Sequence, residues 1–195
     1  MSDSGPAPGR IVRVVLLGYM CSGKSTVGQA LARRLEWGFL DFDVEIERRE
    51  GRTVREIIAT DGEERFREME AALTDEAQHT PGLVLAPGGG WITRPELLGM
   101  LGSETLRVWL RVSPEETARR LVADTIDRPF RDLADPTPRI AEMLAQREPL
   151  YRLADLSIPT DGRSAESIAF EIESILRARG CAAAVANGGG MGGGG

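Results

Sequence analysis

The chain contains little of the material from which disulfide frameworks, zinc sites and histidine-based catalytic centres are built. It has one histidine and two cysteines among its 195 residues. Cys21 and Cys181 lie far apart and fit neither a disulfide framework nor a zinc-site spacing. Thiols without such a framework favour a reducing cytoplasm as the location. His79 lies in a polar helical segment, so we expect it on an exposed face.

The sequence also lacks long apolar stretches and an excess of positive charge. It has no run of about 18 apolar residues, so we expect no transmembrane helix and no membrane partner. Residues 1–9 lack the basic segment and the long apolar stretch of a signal peptide. The formal net charge of −6 argues against a general nucleic-acid-binding surface, which is usually basic. A local basic pocket for a small anion remains compatible with it.

One domain over 10–180 is expected between two flexible tails. Residues 1–9 are rich in Ser, Pro and Gly, and 181–195 form a Gly- and Ala-rich segment of low complexity. A chain of this length with 42% hydrophobic residues has enough apolar material for one compact core. No repeat or long linker divides the rest.

Short apolar segments alternate with amphipathic segments throughout this domain. The apolar segments predict five strands, at 11–17, 38–41, 83–86, 106–110 and 156–158. Helical spacing predicts helices that include 26–35, 140–151 and 167–176. This alternation indicates an α/β fold, with a five-stranded parallel sheet covered by helices on both faces. Ligands of such sheets bind at the carboxyl ends of the strands.

Capping signals predict where further helices begin. Thr53 with Glu56, and Thr60 with Glu63, each match a capping box. Ser113 is followed by a proline and two acidic residues, which is typical of an N-cap and first helical turn.

The strongest motif is the segment GYMCSGKST, which contains a complete G-x-x-x-x-G-K-[ST] P-loop pattern between a predicted strand and a predicted helix. Backbone N–H groups in such a loop, together with the helix dipole, favour a polyphosphate. Lys24 is expected on the β and γ phosphates, and the Ser25 hydroxyl on Mg²⁺. A glycine-rich turn without a ligand is the alternative. The expected ATP contacts in the loop are Cys21, Ser22, Gly23, Lys24, Ser25 and Thr26.

Two aspartates, Asp41 and Asp43, follow the second predicted strand. Residues i and i+2 of an extended chain face the same side, so both carboxylates are expected in the crevice beside the P-loop. Phosphoryl transfer to an alcohol uses a carboxylate to orient the hydroxyl, and acidic groups to hold Mg²⁺. These two residues could divide those tasks, and a solvated acidic turn is the alternative.

Three glycines, 88–90, follow the third predicted strand. Without Cβ atoms they permit a close approach to a ligand, or positive φ angles, although a flexible turn is also possible. Arg67, Arg128 and Arg147 are candidates for holding carboxylates or phosphates, because a guanidinium binds both bidentately. Arg128 lies in a polar stretch that we expect to be a mobile lid. Spacing alone does not select these three among the many arginines.

In their order and spacing these motifs resemble the shikimate kinase family over about residues 11–176. Beyond the P-loop, the resemblance rests on the two aspartates, the segment IATDGE with the following FR, the three glycines, the pair RP at 128–129 and the segment REPLY. It implies a compact P-loop kinase with a mobile lid. Such an enzyme transfers the γ-phosphate of ATP to the 3-hydroxyl of shikimate with Mg²⁺, giving 3-phosphoshikimate and ADP.

The resemblance also implies roles for the residues of the acceptor pocket. Asp41 would help to organise Mg²⁺, together with Ser25. Asp43 would bind the substrate hydroxyls and act as the base. The remaining substrate contacts implied by the resemblance are Arg67 and Arg147 on the carboxylate, and Gly89.

On the nucleotide side, the resemblance implies that Arg128 contacts the phosphates and, with Lys24, stabilises the transition state. It places Arg163 near the adenine. A monomer acting on ATP and shikimate is expected.

The sequence departs from the family pattern at three places. Cys21 stands where the family usually has glycine, and Phe42 replaces a small polar residue between the two aspartates. We expect Phe42 to point into the core. The lid region, 124–138, matches only loosely. Two other functions remain open at this point: a gluconate-type kinase on the same scaffold, and a nucleotide-binding regulator without catalysis.

Overall fold

The computed structural model describes residues 10–123, 130 and 133–179 of the chain. The described strands are β1 Arg13–Leu17, β2 Gly38–Asp41, β3 Leu83–Ala86, β4 Thr105–Arg111 and β5 Leu156–Pro159. The described helices are α1 Lys24–Leu35, α2 Phe42–Glu50, α3 Val54–Asp61, α4 Glu63–Gln78, α5 Glu96–Met100, α6 Pro114–Ala123, α7 Thr137–Tyr151 and α8 Ala165–Ala178. None of these helices is both long enough and apolar enough to cross a bilayer.

The five strands form one parallel sheet in the order β2-β3-β1-β4-β5. This confirms the predicted fold class. The direction in which strands are added reverses at β1, because β2 and β3 lie on one side of β1 whereas β4 and β5 lie on the other. Ligands of open α/β sheets bind at such a switch point, beside the carboxyl ends of the strands.

The central strand explains why both faces of the sheet are covered. Val14 and Leu16 belong to an apolar cluster shared with α1 and α8. Val15 and Leu17 point the other way, into a cluster shared with α2, α3, α4, α5 and α7. A parallel strand that is covered on both faces is apolar at successive positions, which is the pattern that predicted β1.

Arg13 is the one charged residue of β1, and it is buried. Its guanidinium donates to the Thr105 hydroxyl at 3.1 Å, to the Leu101 carbonyl at 3.2 Å and to the Thr80 carbonyl at 3.4 Å. These bonds satisfy a group whose burial would otherwise be costly. They also tie the amino end of β1 to its surroundings, at the opposite end of the strand from the P-loop.

The predicted helix starts are confirmed at two of three places. Thr53 and Glu56 form a capping box at the start of α3, and the Ser113 hydroxyl accepts from the Glu116 N–H at 3.1 Å. The box predicted for Thr60 is wrong, because Thr60 lies in the last turn of α3 and donates to the Glu56 carbonyl. Gly62, with φ of 89°, ends α3 and starts α4 without a side-chain cap.

Candidate active site

A cleft of about 770 Å³ opens where the carboxyl ends of β1 and β3 meet. Its walls come from the P-loop, the two aspartates at the junction of β2 and α2, the first two of the three glycines after β3, helix α6 and the β5–α8 connection. These five segments are far apart in sequence. The sheet order is therefore what brings them together.

The P-loop leads into the amino end of α1, and its lysine is hydrogen-bonded to the backbone of the same loop. Lys24 Nζ donates to the Gly18 carbonyl at 2.9 Å and to the Tyr19 carbonyl at 3.0 Å. Gly23 precedes α1 with φ of 93°, and Cys21 also has a positive φ, of 58°. A left-handed residue other than glycine is strained. Cys21 therefore occupies a conformation that glycine adopts more readily.

Asp41 is bonded to both the P-loop and the following helix. The Ser25 hydroxyl donates to Asp41 Oδ2 at 2.5 Å, and Asp41 Oδ1 accepts from the Val44 N–H at 3.4 Å as the N-cap of α2. An N-cap carboxylate is held in place by the backbone donors of its helix. The residues predicted to bind the metal, Ser25 and Asp41, are thus already adjacent.

The geometry of the two aspartates differs from the sequence prediction in one respect. The chain is extended only to Asp41, and Asp43 lies in the first turn of α2. Both residues still line the cleft. The change to helical geometry at the cap, rather than strand alternation, places them there. Phe42 between them is fully buried in the core, as predicted.

The ligand types around the P-loop fit a hard divalent cation. Ser25 and Asp41 offer oxygen atoms, which Mg²⁺ prefers. In the described ranges, no group of three or more His, Cys, Asp or Glu residues is placed to hold a metal. Mg²⁺ in phosphoryl-transfer enzymes is usually held by one or two protein oxygens together with waters and substrate phosphates. The side chains present match that mode.

The glycine after β3 lies between two carboxylates. A Cβ atom on Gly88 would be 2.9 Å from Glu70 Oε1 and 3.0 Å from Asp43 Oδ1. Only a residue without a side chain leaves these groups where they are. Glu70 is fully buried, and its burial raises the pKa of the carboxyl above the ordinary value. The charge of Asp43 adds to this increase, while Arg67 opposes it.

Arg67 is held beside the cleft by two glutamates. Its Nη1 donates to Glu70 Oε2 at 2.5 Å, and its Nη2 to Glu63 Oε1 at 2.7 Å. The guanidinium lies against Gly90, where a Cβ atom would be 2.3 Å from Nη2. Arg67 is not part of the cleft wall itself, but its partner Glu70 interacts electrostatically with Asp43.

Arg147 reaches the same glycine segment from α7. Its Nη1 donates to the Gly89 carbonyl at 3.0 Å, and the Tyr151 hydroxyl donates to that same carbonyl at 3.2 Å. Unlike Arg67, Arg147 has no carboxylate within 4 Å among the residues that the structure describes. Gly89 itself lines the cleft. The two arginines predicted to bind a carboxylate thus flank the three glycines.

The prediction that Arg163 contributes to the nucleotide end of the cleft stays untested, although Arg163 does line the cleft. It donates to the Pro159 carbonyl at 3.3 Å and pairs with Glu171. Arg128, predicted to contact the phosphates, lies outside the described residues.

Sequence reasoning missed the arginines of α6. Arg120 donates to the Cys21 carbonyl and to the Thr160 carbonyl, each at 3.0 Å, and so joins the P-loop to the end of β5. Arg119 also lines the cleft. Hydrogen bonds from Arg119 and Arg120 lower the pKa of Glu116 to about 2. The N-cap at Ser113 was the available signal, because it placed the start of this helix directly after a strand that ends at the cleft.

Taken together, the switch-point cleft, the P-loop and the paired Ser25 and Asp41 define a small P-loop phosphotransferase. The model of the shikimate kinase family matches residues 20–177. A shikimate kinase of Moorella thermoacetica is 42% identical over 165 residues, which are 85% of this chain and 94% of that protein. One from Synechococcus sp. strain CC9605 is 36% identical over 179 residues, which are 90% of this chain and 89% of that protein.

Solved structures give the same result. Shikimate kinase from Acinetobacter baumannii, in complex with shikimate, has a TM-score of 0.78 at 34% identity, covering 86% of this chain and 94% of that one. A gluconokinase from Sinorhizobium meliloti has a TM-score of 0.58 at 18% identity, which is a likeness of fold alone. This chain belongs to the shikimate kinase family and is an ATP-dependent kinase. The family and the kinase activity predicted from the motifs are thereby confirmed.

Proposed function

We propose that this kinase transfers the γ-phosphate of ATP to the 3-hydroxyl of shikimate, and that the residues around the cleft divide the work as follows. The observation that carries the proposal is one shared cleft. Lys24, the Ser25–Asp41 pair and Asp43 all line it, and the three glycines connect it to Arg67 and Arg147. A phosphate donor and a carboxylate-bearing acceptor would therefore meet at Asp43.

The nucleotide half of the cleft is suited to the phosphates of ATP. P-loop N–H groups and the amino end of α1 favour a polyphosphate. Lys24 would exchange its two carbonyl acceptors for phosphate oxygens when ATP binds. Ser25 and Asp41 would hold Mg²⁺, which neutralises phosphate charge when bound. Arg128 is proposed to contact the phosphates, and Arg163 to lie near the adenine.

The acceptor half is suited to a small carboxylate. Arg147 is a half-buried guanidinium without a carboxylate partner among the described residues, and such a group favours an anion. Arg67 shares its charge with buried Glu70 and with Glu63, whose side chain is 65% exposed. An exposed ion pair contributes little stability. A substrate carboxylate could therefore replace Glu63 at small cost, while Glu70 continues to hold Arg67.

Asp43 is the proposed base. It lines the cleft with the P-loop and lies against Gly88, the first of the three glycines. A carboxylate there can orient the attacking hydroxyl and accept its proton. The two carboxylates interact electrostatically, since the charge of Asp43 helps to raise the pKa of Glu70. Gly89 would contact the acceptor at the floor of the pocket. A monomer in the cytoplasm, where ATP is available, completes the proposal.

A direct assay of phosphoryl transfer tests this function. The purified chain is mixed with ATP and Mg²⁺, and ADP release is followed with and without shikimate. The proposal predicts ADP release that requires shikimate and stops when EDTA removes the metal, with phosphorylated shikimate detected by mass spectrometry. Gluconate serves as the comparison substrate. Release of ADP with gluconate but not with shikimate would contradict the proposal.

A further inference from the structure

Tyr19, the second residue of the P-loop, contacts the acceptor side of the site rather than the cleft. Its side chain is buried, and it does not line the cleft. We propose that Tyr19 is a positioning residue, whose ring holds the guanidinium of Arg147 in place to receive the acceptor carboxylate. This inference rests on the proposed role of Arg147.

The contact is a guanidinium over an aromatic face. Arg147 Cζ lies 5.3 Å from the centroid of the Tyr19 ring. Such a contact attracts the cation through the ring face and leaves the in-plane N–H groups of the guanidinium for other acceptors. This matters because a carboxylate is bound by those N–H groups. An ion pair with a glutamate would hold Arg147 equally well but would occupy the same donors.

The backbone acceptor of Arg147 is fixed by the same part of the P-loop. Arg147 donates to the Gly89 carbonyl, and a Cβ atom on Gly89 would lie 3.3 Å from the Met20 nitrogen and 3.6 Å from the Tyr19 carbonyl carbon. The backbone at Tyr19 and Met20 therefore packs against Gly89, while the Tyr19 ring packs against the guanidinium. Both contacts of Arg147 depend on the conformation of one dipeptide.

A second aromatic residue, Tyr151, holds the same Gly89 carbonyl that accepts from Arg147. Tyr151 donates to the same Gly89 carbonyl at 3.2 Å and stacks on Trp109, with the ring centroids 5.6 Å apart. Burial raises the pKa of Tyr151 to about 12, so the hydroxyl remains a donor at neutral pH. The Gly89 carbonyl thus accepts from two donors, Arg147 and Tyr151, while the Tyr19 ring contacts the guanidinium of Arg147.

The ring of Tyr19, and not its hydroxyl, makes the contact. The Tyr19 Oη atom is buried and has no hydrogen-bond partner in the described part of the chain. Replacing tyrosine with phenylalanine therefore removes nothing that holds Arg147. Replacing it with leucine removes the aromatic face but keeps an apolar side chain in the cluster that Tyr19 forms with Leu121 and Ile140. These two variants separate the ring from general packing.

The test compares Tyr19→Leu with Tyr19→Phe in the full chain, with KM for shikimate, KM for ATP and Tm as readouts. We expect Tyr19→Leu to raise the shikimate KM by about 5- to 30-fold, with a small change in the ATP KM. Tyr19→Phe should stay within about twofold of the parent protein for both. Phe170→Leu is a matched control, because it removes an exposed cation–π contact between Phe170 of α8 and Arg34 of α1.

A double-mutant cycle with Arg147→Ala completes the test, because coupled residues show non-additive effects. If Tyr19 acts through Arg147, Tyr19→Leu should add little to the loss caused by Arg147→Ala. Equal shikimate KM values for Tyr19→Leu and Tyr19→Phe would overturn the inference, as would additive losses in the cycle or a parallel rise in both KM values. If Tyr19→Leu does not fold, Tyr19→Met takes its place, because methionine fills irregular apolar space.

These outcomes are distinct from failure of the proposed function. If the parent chain shows no shikimate-dependent ADP release, or if Arg147→Ala leaves the shikimate KM unchanged, the proposed acceptor site itself is wrong. If the parent chain is active and Arg147→Ala is impaired, only the Tyr19 comparison decides the inference.

Discussion

The contact between Gly90 and Arg67 provides a sharp prediction for the acceptor pocket. In Gly90→Ala the new Cβ atom would lie 2.3 Å from Arg67 Nη2, 2.9 Å from Cζ and 3.0 Å from Nη1. Ordinary contact begins at 3.4 Å, so Nη2 must move by 3.4 − 2.3 = 1.1 Å or more. The crowded atoms are the far end of a long side chain. The fold can therefore accommodate the methyl group, but Arg67 must leave its present position.

A shift of this size would remove the hydrogen bond that Arg67 Nη2 is proposed to donate to the acceptor carboxylate in place of Glu63. A hydrogen bond to a charged group contributes about 1.5–3 kcal/mol, which corresponds to a loss of about 10- to 100-fold in affinity. We therefore expect Gly90→Ala to raise the shikimate KM by that factor. Tm should fall, because the displaced guanidinium is the ion-pair partner of the fully buried Glu70 carboxylate. The ATP KM should change little, because Gly90 does not line the cleft.

Steady-state kinetics with each substrate varied in turn checks this prediction, together with thermal unfolding. Gly99→Ala is the matched control, since a Cβ atom at that exposed position of α5 would meet nothing within 4 Å. A shikimate KM that is unchanged in Gly90→Ala would refute the reasoning that the present position of Arg67 serves acceptor binding.

Two further predictions concern Lys24 and Glu70. Lys24→Ala should abolish both nucleotide binding and turnover, because the ammonium is the charge that faces the phosphates; measured binding of ATP at near-normal affinity would contradict this. Glu70 has a folded-state pKa raised by burial above the unfolded value, so its contribution to stability is present below the unfolded pKa and is lost as pH rises through the folded pKa. Glu70→Gln lacks this titration. The Tm of the variant should therefore rise relative to that of the parent protein as the pH goes from about 4 to 7. A difference that is constant with pH in thermal unfolding would show that Glu70 does not titrate in this way.

The fold and the nucleotide loop were predictable because their signals are local. A buried apolar strand, a complete P-loop and an amphipathic helix follow one another within 25 residues, from Ile11 to Leu35. The predicted strand bounds were close to the observed ones for the same reason. Burial on both faces makes β1 apolar at successive positions, and that apolar run is what predicted the strand. Gly62 overrode the capping signal at Thr60, because a positive φ broke the helix two residues later.

The two aspartates show how a correct placement can rest on a wrong local geometry. Strand alternation predicted that Asp41 and Asp43 share a side, whereas the chain enters α2 at Asp41. The pair shares the cleft because an N-cap residue and the first turn of its helix face the same end of that helix. Phe42 points into the core in both descriptions.

Long-range contacts were beyond sequence reasoning. The bond from Arg120 to the Cys21 carbonyl joins residues 99 positions apart, so no spacing rule predicts it. Glu70 was missed for a different reason. It stands three residues after Arg67 in a charged helix, and this spacing is typical of an exposed ion pair. Only the packing of α4 against the glycines after β3 buries it beside Asp43.

Asp43→Asn tests most directly the claim that one cleft joins a nucleotide loop to an acceptor pocket with an aspartate between them. The amide keeps the size of the side chain but removes the base, and a general base contributes about 10²- to 10⁴-fold to the rate. We expect turnover with shikimate to fall by at least about 100-fold, while the dissociation constant of ATP, measured by titration calorimetry, stays within about twofold. Turnover close to that of the parent protein would contradict the account.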